Sequence, residues 1–222
     1  MKLLLVGYGK MGRLIDEMAP SHGSEVTGRI DLDTGDWSAD ADVAVDFSTA
    51  EALRANFGRY TGRKLPVVIG TTGWAAFAAE LRDQAERNGL GVVAASNFSV
   101  GVNLFELLVA EAARLMQVQP QYGAWIHEAH HSTKRDAPSG TALVLRDAMV
   151  EAAYGRPIDV SSTRAGAIPG VHTVGFDSAS DTIELTHTAR DRRGFAAGAL
   201  LAARWIQGRR GWFTMKDVLR GT

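Results

Sequence analysis

Short apolar runs and amphipathic stretches alternate along the first hundred residues of the chain. The apolar runs are rich in aliphatic and β-branched residues, a composition that favours β-strands. Five strands are predicted, at Leu3–Val6, Glu25–Ile30, Val43–Phe47, Val67–Gly70 and Gly91–Ala95. Because helical patterns separate them, the expected arrangement is a series of βαβ units around a parallel sheet, which makes the fold class α/β.

Two of the helical patterns in this half are well defined. One apolar stripe comprises Leu53, Phe57 and Tyr60, and a second comprises Trp74, Phe77, Ala78, Leu81 and Ala85. The segment Ser48-Thr49-Ala50-Glu51, just before the first stripe, has the form of a capping box. It predicts a helix with Ser48 as the N-cap and Glu51 bonding back to it.

The pattern changes after about residue 98. A long helical stripe runs from Phe105 to Met116 and is expected to end at Gln119-Pro120. The remaining predicted elements are a strand at Tyr122–Ile126, a helix at Ser139–Ala153, strand-like sequence from Arg164 to Thr188 with a turn at Asp177–Asp181, and a helix at Phe195–Ile206. Consecutive hairpin strands indicate a second, α+β domain with a mostly antiparallel or mixed open sheet.

Composition and charge narrow the classes of function. The chain has 222 residues, and its 24 Lys and Arg nearly balance 25 Asp and Glu, so nothing in the charge favours nucleic acid or an anionic membrane. The absence of cysteine excludes disulfide scaffolds, thiolate metal sites and thiol nucleophiles. No apolar run reaches the roughly 20 residues that span a bilayer. The expectation is a cytoplasmic protein without nucleic-acid or membrane partners.

The segment Gly7-Tyr8-Gly9-Lys10-Met11-Gly12 has the G-x-G-x-x-G pattern between a predicted strand and a helix. In a dinucleotide site the first glycine makes a tight turn, the second lets the backbone approach a pyrophosphate, and the third allows close helix–strand packing. The helix N-terminus then supplies free amides to the anion. The alternative is a glycine-rich turn that binds nothing.

Asp31 follows the second predicted strand, where a partner for the ribose hydroxyls is expected. Its carboxylate favours NADH, because it would repel the 2′-phosphate of NADPH. Arg29 and Lys10 are cations close enough in sequence to favour NADPH instead. The sequence therefore predicts NADH or NADPH as the cofactor and leaves the choice open.

His127-Glu128-Ala129-His130-His131 satisfies the H-E-x-x-H pattern of zinc hydrolases. That chemistry needs both outer histidines on one helical face, about 6 Å apart along the axis. The preceding residues predict a strand, in which the same pair would stand roughly 13 Å apart. A zinc hydrolase is kept as the less favoured alternative, and no metal site is predicted.

The loop beyond this pattern has the groups to bind a small carboxylate substrate. Pro138 leads into Ser139, Gly140 and Thr141 at a predicted helix start, where free amides and hydroxyls form an anion site. His130, His131 and Lys134, just upstream, add cationic and proton-donating groups. The prediction is a dicarboxylate site with a proton donor beside it.

The whole stretch from Glu128 to Ala142 resembles the E-x-H-H-x-x-K-x-D-A-P-S-G-T-A signature of the 4-hydroxy-tetrahydrodipicolinate reductase (dihydrodipicolinate reductase) family. Further segments that carry the resemblance are Val45–Ser48, Val68–Gly73, Ser96–Asn103, Arg164–Gly166, Pro169-Gly170, Thr186-His187, Arg192 and Phe195–Ala199. The likeness extends over nearly the whole chain. It departs from the family in a compressed segment between Asp31 and Val43, and in Leu32, where some members have arginine.

The resemblance implies a fold, a reaction and an assembly. The expected fold is a Rossmann dinucleotide-binding domain at 1–98, a substrate-binding and oligomerisation domain at 99–194, and a C-terminal helix at 195–222 that returns to the first domain. The implied reaction is the NAD(P)H-dependent reduction of a cyclic unsaturated dicarboxylate, made from pyruvate and aspartate semialdehyde, in lysine and diaminopimelate biosynthesis. The implied assembly is a homotetramer.

The resemblance also implies roles for individual residues. His130 and Lys134 would be the catalytic pair, and His131, Gly140 and Thr141 would bind the substrate carboxylates with Ser139 beside them. The cofactor would contact Gly7, Tyr8, Gly9, Lys10, Met11, Gly12 and Asp31 at the adenosine end, and Gly70, Thr71, Thr72, Ser96, Asn97 and Phe98 at the nicotinamide end.

Three points stay open at the level of sequence. A non-catalytic NAD(P)-binding sensor with the same fold is an alternative to the enzyme. His187 shares a face with Ile183 and Leu185, which favours a structural role in a sheet. His172, close to Gly170, and Arg192 have no assigned role.

Overall fold

A computed structural model describes residues 1–32 and 34–221 of the chain. Its helices and strands, in chain order, are β1 (Lys2–Val6), α1 (Lys10–Met18), β2 (Glu25–Ile30), β3 (Val43–Asp46), α2 (Ala50–Arg63), β4 (Val67–Ile69), α3 (Ala78–Arg87), β5 (Gly91–Ala94), α4 (Val100–Met116), β6 (Gly123–His130), α5 (Gly140–Glu151), β7 (Ile158–Arg164), β8 (Val171–Asp177), β9 (Thr182–Thr188), α6 (Arg193–Ile206), β10 (Gly211–Phe213) and α7 (Met215–Arg220). Short 3₁₀ helices at Pro20–His22 and Ala75–Phe77 complete the set.

The chain divides into two compact units, and the second is inserted into the first. Unit 1 comprises Met1–Val100 and Arg193–Thr222, and unit 2 comprises Gly101–Arg192. The functional division proposed from sequence, at residues 98 and 194, stays a prediction. Thr222, the last residue of that division, lies outside the described residues.

Unit 1 is built on a six-stranded sheet with the strand order β10-β5-β4-β3-β1-β2. All five strand pairs are parallel, as the alternation of strands and helices predicts. A parallel strand covered by helices on both faces needs apolar residues at every position. In β1, Leu3 and Leu5 belong to one hydrophobic cluster, whereas Leu4 and Val6 belong to the other. The α/β fold with a Rossmann-type domain is thereby confirmed.

The point where the strand order reverses lies between β1 and β3. In open α/β sheets, ligands bind in the crevice outside the carboxyl ends of the strands at such a point. The loops that meet here are the glycine segment after β1 and Phe47-Ser48 after β3. The backbone of Gly7 approaches the loop after β3 so closely that a methyl group on Gly7 would overlap the backbone of Phe47.

The start of α2 differs from the prediction at one residue. Thr49 is the N-cap, and its side chain accepts a hydrogen bond from the Ala52 amide at 3.2 Å. The predicted N-cap, Ser48, is wrong, because its hydroxyl donates to the buried carboxylate of Asp46 at 2.6 Å. Asp46 at the end of β3 therefore draws Ser48 out of the helix and moves the cap one residue onward.

Unit 2 contains a four-stranded sheet in the order β7-β6-β8-β9. β6 pairs with β7 in parallel, and the other two pairs are antiparallel, so the predicted mixed sheet is confirmed. α4 and α5 cover one face of it through a hydrophobic cluster that includes Phe105, Leu145, Ile126, Val174 and Phe176. The same face continues past the apolar cluster towards the carboxyl end of β6.

Several element boundaries in the second half differ from the predictions. β6 extends to His130 rather than ending at Ile126, and α4 ends at Met116, before Gln119-Pro120. β7, β10 and α7 were not predicted at all. Among the described residues, no helix is both long and apolar enough to cross a bilayer.

Candidate active site

The glycine segment of unit 1 has three glycines in three different surroundings. A methyl group on Gly12 would overlap the carbonyl oxygen of Gly7, so Gly12 allows α1 to pack closely on the preceding turn. Gly7 itself has a φ of +87°, a conformation that L side chains rarely adopt. A methyl group on Gly9 would have no atom within 4 Å from any described residue beyond its chain neighbours. Open space beside the N-cap of α1 is what a pyrophosphate group requires.

Asp31 lies directly after β2 and faces the same turn. Its carboxylate accepts a hydrogen bond from the Tyr8 amide at 3.4 Å. Two residues earlier, Arg29 forms a two-pronged ion pair with Asp16 of α1, at 2.6 and 2.7 Å. The predicted adenosine end thus contains an acid that accepts a backbone amide, Asp31, and a cation that is already bonded to another acid, Asp16.

The predicted nicotinamide end lies at the carboxyl ends of β3, β4 and β5. Asp46 is fully buried and accepts hydrogen bonds from the hydroxyls of Tyr60 in α2 at 2.7 Å and Thr71 at 2.8 Å. The bond from Thr71 holds the loop after β4. Burial, with the charge of Asp46, raises the pKa of Tyr60 well above its usual value. The backbone of Gly70 packs directly on the Phe47 ring, so a side chain at position 70 would overlap that ring.

A cavity of about 310 Å³ adjoins these loops. Of the predicted residues, Thr71, Thr72 and Ser96 line it, together with Trp74, Arg82 and Trp212, which the sequence did not indicate. Asn97 accepts a hydrogen bond from the Ser99 amide at 2.8 Å. Phe98 is 2% exposed and packs in the core against Phe47.

In unit 2, four polar side chains continue the inner face of the sheet beyond its apolar cluster. Ala124 and Ile126 of β6 are in the cluster, and the alternation places Glu128 and His130 next on the same face. The register of the neighbouring strands places two more polar residues beside them. Glu128 is opposite His172 of β8, and His130 is opposite Arg164 of β7. The sheet therefore ends in a group of ionisable side chains.

Glu128 is the centre of this group and is fully buried. It accepts a two-pronged pair of hydrogen bonds from Arg164, at 2.6 and 3.0 Å, and bonds with His130 Nδ1 and the Ser139 amide. Burial alone would raise the pKa of Glu128, but its hydrogen bonds, above all from Arg164, outweigh burial and lower the pKa to about 2. Glu128 is therefore an anion that fixes three neighbouring groups, the Arg164 guanidinium, the His130 ring and the Ser139 amide.

The two histidines of the group stand edge to face, with ring centroids 5.1 Å apart. His172 Nε2 is 3.0 Å from the Ser139 hydroxyl. Burial, with the nearby charge of His130, lowers the pKa of His172 to about 4. His172 is thus neutral at physiological pH. Gly170 gives His130 its space, because a methyl group there would stand 3.1 Å from His130 Nε2.

The segment between β6 and α5 carries the predicted catalytic and substrate groups. Lys134 Nζ pairs with Asp136 at 2.8 Å, and His131 Nδ1 is 2.7 Å from the Thr133 hydroxyl. Arg164 also donates to the backbone carbonyl of Asp136 at 2.6 Å. The same arginine that holds Glu128 therefore holds the loop that carries Lys134.

α5 begins with Ser139 as its N-cap, whose hydroxyl accepts a hydrogen bond from the Ala142 amide at 3.2 Å. Ser139 is 2% exposed, so its side chain is committed to the cap and to His172. Gly140 is exposed and Thr141 is half-buried. The amides at this helix start are the groups that an anionic substrate could reach.

Comparison with known proteins gives matches along nearly the whole chain. The sequence profile "Dihydrodipicolinate reductase, N-terminus" matches residues 1–98, and "Dihydrodipicolinate reductase, C-terminus" matches residues 101–219. The chain belongs to the dihydrodipicolinate reductase family. Members of this family are oxidoreductases, and membership implies a nicotinamide cofactor.

Individual relatives agree with this family. The chain is 38% identical to the 4-hydroxy-tetrahydrodipicolinate reductase of Christiangramia forsetii, over 99% of this chain and 98% of that one. It is also 38% identical to the enzyme of the same name from Methanoregula boonei, over 98% and 97% of the two chains. A dipicolinate-bound dihydrodipicolinate reductase from Paenisporosarcina sp. TG-14 has the same fold, with a TM-score of 0.84 and 20% identity over 96% of this chain and 97% of that one.

The zinc-hydrolase alternative for the H-E-x-x-H segment has no support in the geometry. β6 contains His127 to His130, so the segment is a strand rather than the helix that such a site requires. His127 bonds with Thr163, on the opposite face from Glu128. Glu128, His130 and His172 do bring ligand atoms within 4.8 Å of one another, but both oxygens of Glu128 are occupied by Arg164.

Three members of the unit 2 group had no predicted role: Glu128, Arg164 and His172. Period-two alternation along β6 was a usable signal for Glu128, since it places this residue on the face of Ile126 and His130. His172 and Arg164 depend on pairing between distant strands, which no local pattern shows. His187, by contrast, stacks on Phe105 with centroids 5.9 Å apart, in agreement with the structural role predicted for it.

Proposed function

We propose that this chain reduces 4-hydroxy-tetrahydrodipicolinate to tetrahydrodipicolinate with a nicotinamide cofactor, in lysine and diaminopimelate biosynthesis. The observation that carries the proposal is in unit 2. There the Glu128–Arg164 pair holds His130, the loop of Lys134 and the start of α5 in one hydrogen-bonded group. Family membership supplies the reaction that such a group would serve.

The glycine segment fits a dinucleotide. The open space at Gly9 and the uncapped amides at the start of α1 would hold the pyrophosphate, and Asp31 would accept hydrogen bonds from a ribose. The cavity beside Thr71, Thr72 and Ser96 would hold the nicotinamide end. When bound, the reduced cofactor supplies a hydride from its nicotinamide ring.

Asp31 supports NADH as the preferred cofactor. Its carboxylate follows β2, where it would bond to the ribose hydroxyls and repel a 2′-phosphate. The cation nearest in sequence, Arg29, is already paired with Asp16.

The substrate's carboxylates would bind at the amides of Gly140 and Thr141, with His131 beside them. The dipicolinate in the Paenisporosarcina protein is a planar ring dicarboxylate, so it supports this class of ligand. The overall reaction also removes the 4-hydroxyl group of the substrate as water. Hydride addition puts negative charge on the conjugated ring, and a proton must follow. Lys134 would donate that proton from Nζ and regain one from water. His130, oriented through Nδ1 by Glu128, would assist binding or orientation.

The resemblance also supports a homotetramer. Within unit 2, α4 and α5 cover one face of the sheet, and Trp125 and His127 lie on the other. This second face is therefore the surface proposed for contact between chains. Light scattering that gave the 23.8 kDa mass of a single chain would contradict the proposal.

The decisive test compares Lys134→Ala with Arg135→Ala, a neighbouring exposed cation. Substrate is generated in situ from pyruvate and aspartate semialdehyde, and oxidation of NADH and NADPH is followed separately. Lys134→Ala should lower kcat by about 100-fold or more, because a positioned proton donor is lost, and leave NADH affinity unchanged. Arg135→Ala should retain turnover.

Two outcomes would reject the proposal. Full activity in Lys134→Ala would remove the assigned proton donor. An unaltered chain that binds NADH without oxidising it in the presence of fresh substrate would indicate the non-catalytic sensor instead.

A further inference from the structure

Arg29 and Asp31 lie two residues apart at the end of β2. Residues i and i+2 of a strand share a face and are separated by about 7 Å. Asp31 accepts the Tyr8 amide of the glycine segment, so this face is the one that adjoins the proposed dinucleotide site. A guanidinium at this position would lie within reach of a phosphate on the ribose bound by Asp31.

Arg29 is paired with Asp16 of α1. Arg29 Nε and Nη2 donate to the two carboxylate oxygens of Asp16, at 2.6 and 2.7 Å. Tyr8, a residue of the glycine segment itself, donates its hydroxyl to the same carboxylate. The Asp16 side chain is 16% exposed and the Arg29 side chain is 45% exposed. The ion pair is therefore bonded to the glycine segment through Tyr8, and the Arg29 side chain remains partly exposed to solvent.

The pair changes the charge that a cofactor would meet. The hydrogen bond from Arg29 is the largest influence on Asp16, and it lowers the pKa of that carboxyl. Arg29 and Asp16 therefore neutralise each other, and among the described residues the cation two positions before Asp31 is already paired with Asp16. α1 carries two further cations, Lys10 and Arg13, and Arg13 lies 5.8 Å from the centre of the Tyr8 ring.

We propose that Asp16 is a specificity-determining residue that keeps the site selective for NADH by holding Arg29 in a two-pronged ion pair. Without Asp16, Arg29 is free to turn towards the ribose and bind the 2′-phosphate of NADPH. Arginine suits this task, since its planar guanidinium bonds phosphate through two donors at once. The inference rests on the proposed function only in requiring that a dinucleotide binds the glycine segment.

The test measures binding rather than turnover. NADH and NADPH are titrated separately into the full-length chain, its Asp16→Asn and Arg29→Gln variants, and the double variant, with binding followed by calorimetry. Asp16→Asn should improve NADPH affinity relative to NADH by about tenfold, the effect of one new charge-assisted hydrogen bond. Arg29→Gln should show no such gain.

The double variant separates release of Arg29 from a simple loss of negative charge. If Arg29 is the group that binds the 2′-phosphate, Asp16→Asn gains nothing when Arg29→Gln is also present. An equal gain in both backgrounds would overturn the proposal, as would no gain in a folded Asp16→Asn chain. Asp16→Ala, which keeps a strong helix former in α1, serves as a second variant if Asp16→Asn does not fold.

A failure of the proposed function gives a different result. In that case the unaltered chain binds neither dinucleotide, whatever residue occupies position 16. If the unaltered chain binds NADH and the ratio of NADH to NADPH affinity is the same in every variant, the dinucleotide site is supported and the role proposed for Asp16 is wrong.

Discussion

His172 shows how one buried residue can make stability depend on pH. It is 5% exposed and bonds with the Ser139 hydroxyl, which caps α5. A charged imidazolium at this position would lose its hydration and face His130. The folded state therefore favours the neutral form of His172. The N-cap of α5 depends on this form, because His172 bonds with the Ser139 hydroxyl.

The unfolding free energy should accordingly decrease as the pH falls from about 6.5 to about 4. Folding lowers the pKa of His172 from 6.5 to about 4, so in this window the unfolded chain binds a proton that the folded chain does not. The contribution of His172 to the unfolding free energy is about 3 kcal/mol. It is complete above pH 6.5 and is lost by pH 4. Urea unfolding at a series of pH values measures it.

A matched variant isolates this group from the other titrating residues. His172→Gln retains a polar side chain for Ser139 and cannot titrate, so the loss between pH 6.5 and 4 should be smaller in it by the same amount. If the variant and the unaltered chain lose stability in parallel across this window, the assignment to His172 is wrong.

At the scale of elements, the turn between β1 and α1 separates a packing glycine from a binding glycine. Gly12 touches the backbone of Gly7, and Gly9 borders open space. The G-x-G-x-x-G pattern assigns these roles by position alone. The structure supplies the independent reason, because only one of the two positions lacks space for a methyl group.

Exchanging each glycine for alanine should separate folding from binding. Gly12→Ala should lower the unfolding free energy by about 1–3 kcal/mol, because the added methyl overpacks the turn. Gly9→Ala should unfold normally and bind NADH at least about tenfold more weakly, because its methyl occupies the phosphate's space. Thermal unfolding and NADH titration measure the two effects. Normal NADH affinity in Gly9→Ala would contradict the proposed cofactor position.

Elements buried on both faces were the predictable part of the fold. β1 is apolar at four consecutive positions, so it could be recognised without knowing its neighbours. β7 is an edge strand with polar residues at most positions, and its sequence resembles a loop. Because β7 carries Arg164, the central ion pair of the site could not be predicted. Ser48 was misassigned for a similar reason, since its partner Asp46 is held by tertiary packing.

At the scale of the whole molecule, each proposed ligand has its own unit. The dinucleotide segment is in unit 1, and the loop from His131 to Thr141 is in unit 2. The amides that would bind them are at the starts of α1 and α5. Each ligand should therefore protect its own helix start from hydrogen exchange.

Hydrogen exchange followed by mass spectrometry tests this division. NADH alone, at about ten times its Kd, should slow exchange about tenfold in peptides that contain residues 9–13. Dipicolinate alone should slow exchange in peptides that contain residues 139–142. Protection of the second segment by NADH with no dipicolinate effect would contradict the assignment of the substrate site.

The insertion of unit 2 into unit 1 has a consequence for synthesis of the chain. A ribosome releases all of Gly101–Arg192 before α6 and β10 exist. α6 contributes Ala196, Ala199, Leu200 and Ala203 to the cluster that covers one face of the unit 1 sheet. The nascent amino-terminal half therefore lacks this part of the cover over Leu3 and Leu5 until the last thirty residues or so emerge, although Ile15 of α1 and its C-cap Ala19 already belong to the same cluster. A chain stalled or truncated in that interval would have a complete second unit and a first unit that exposes part of its apolar cluster to water.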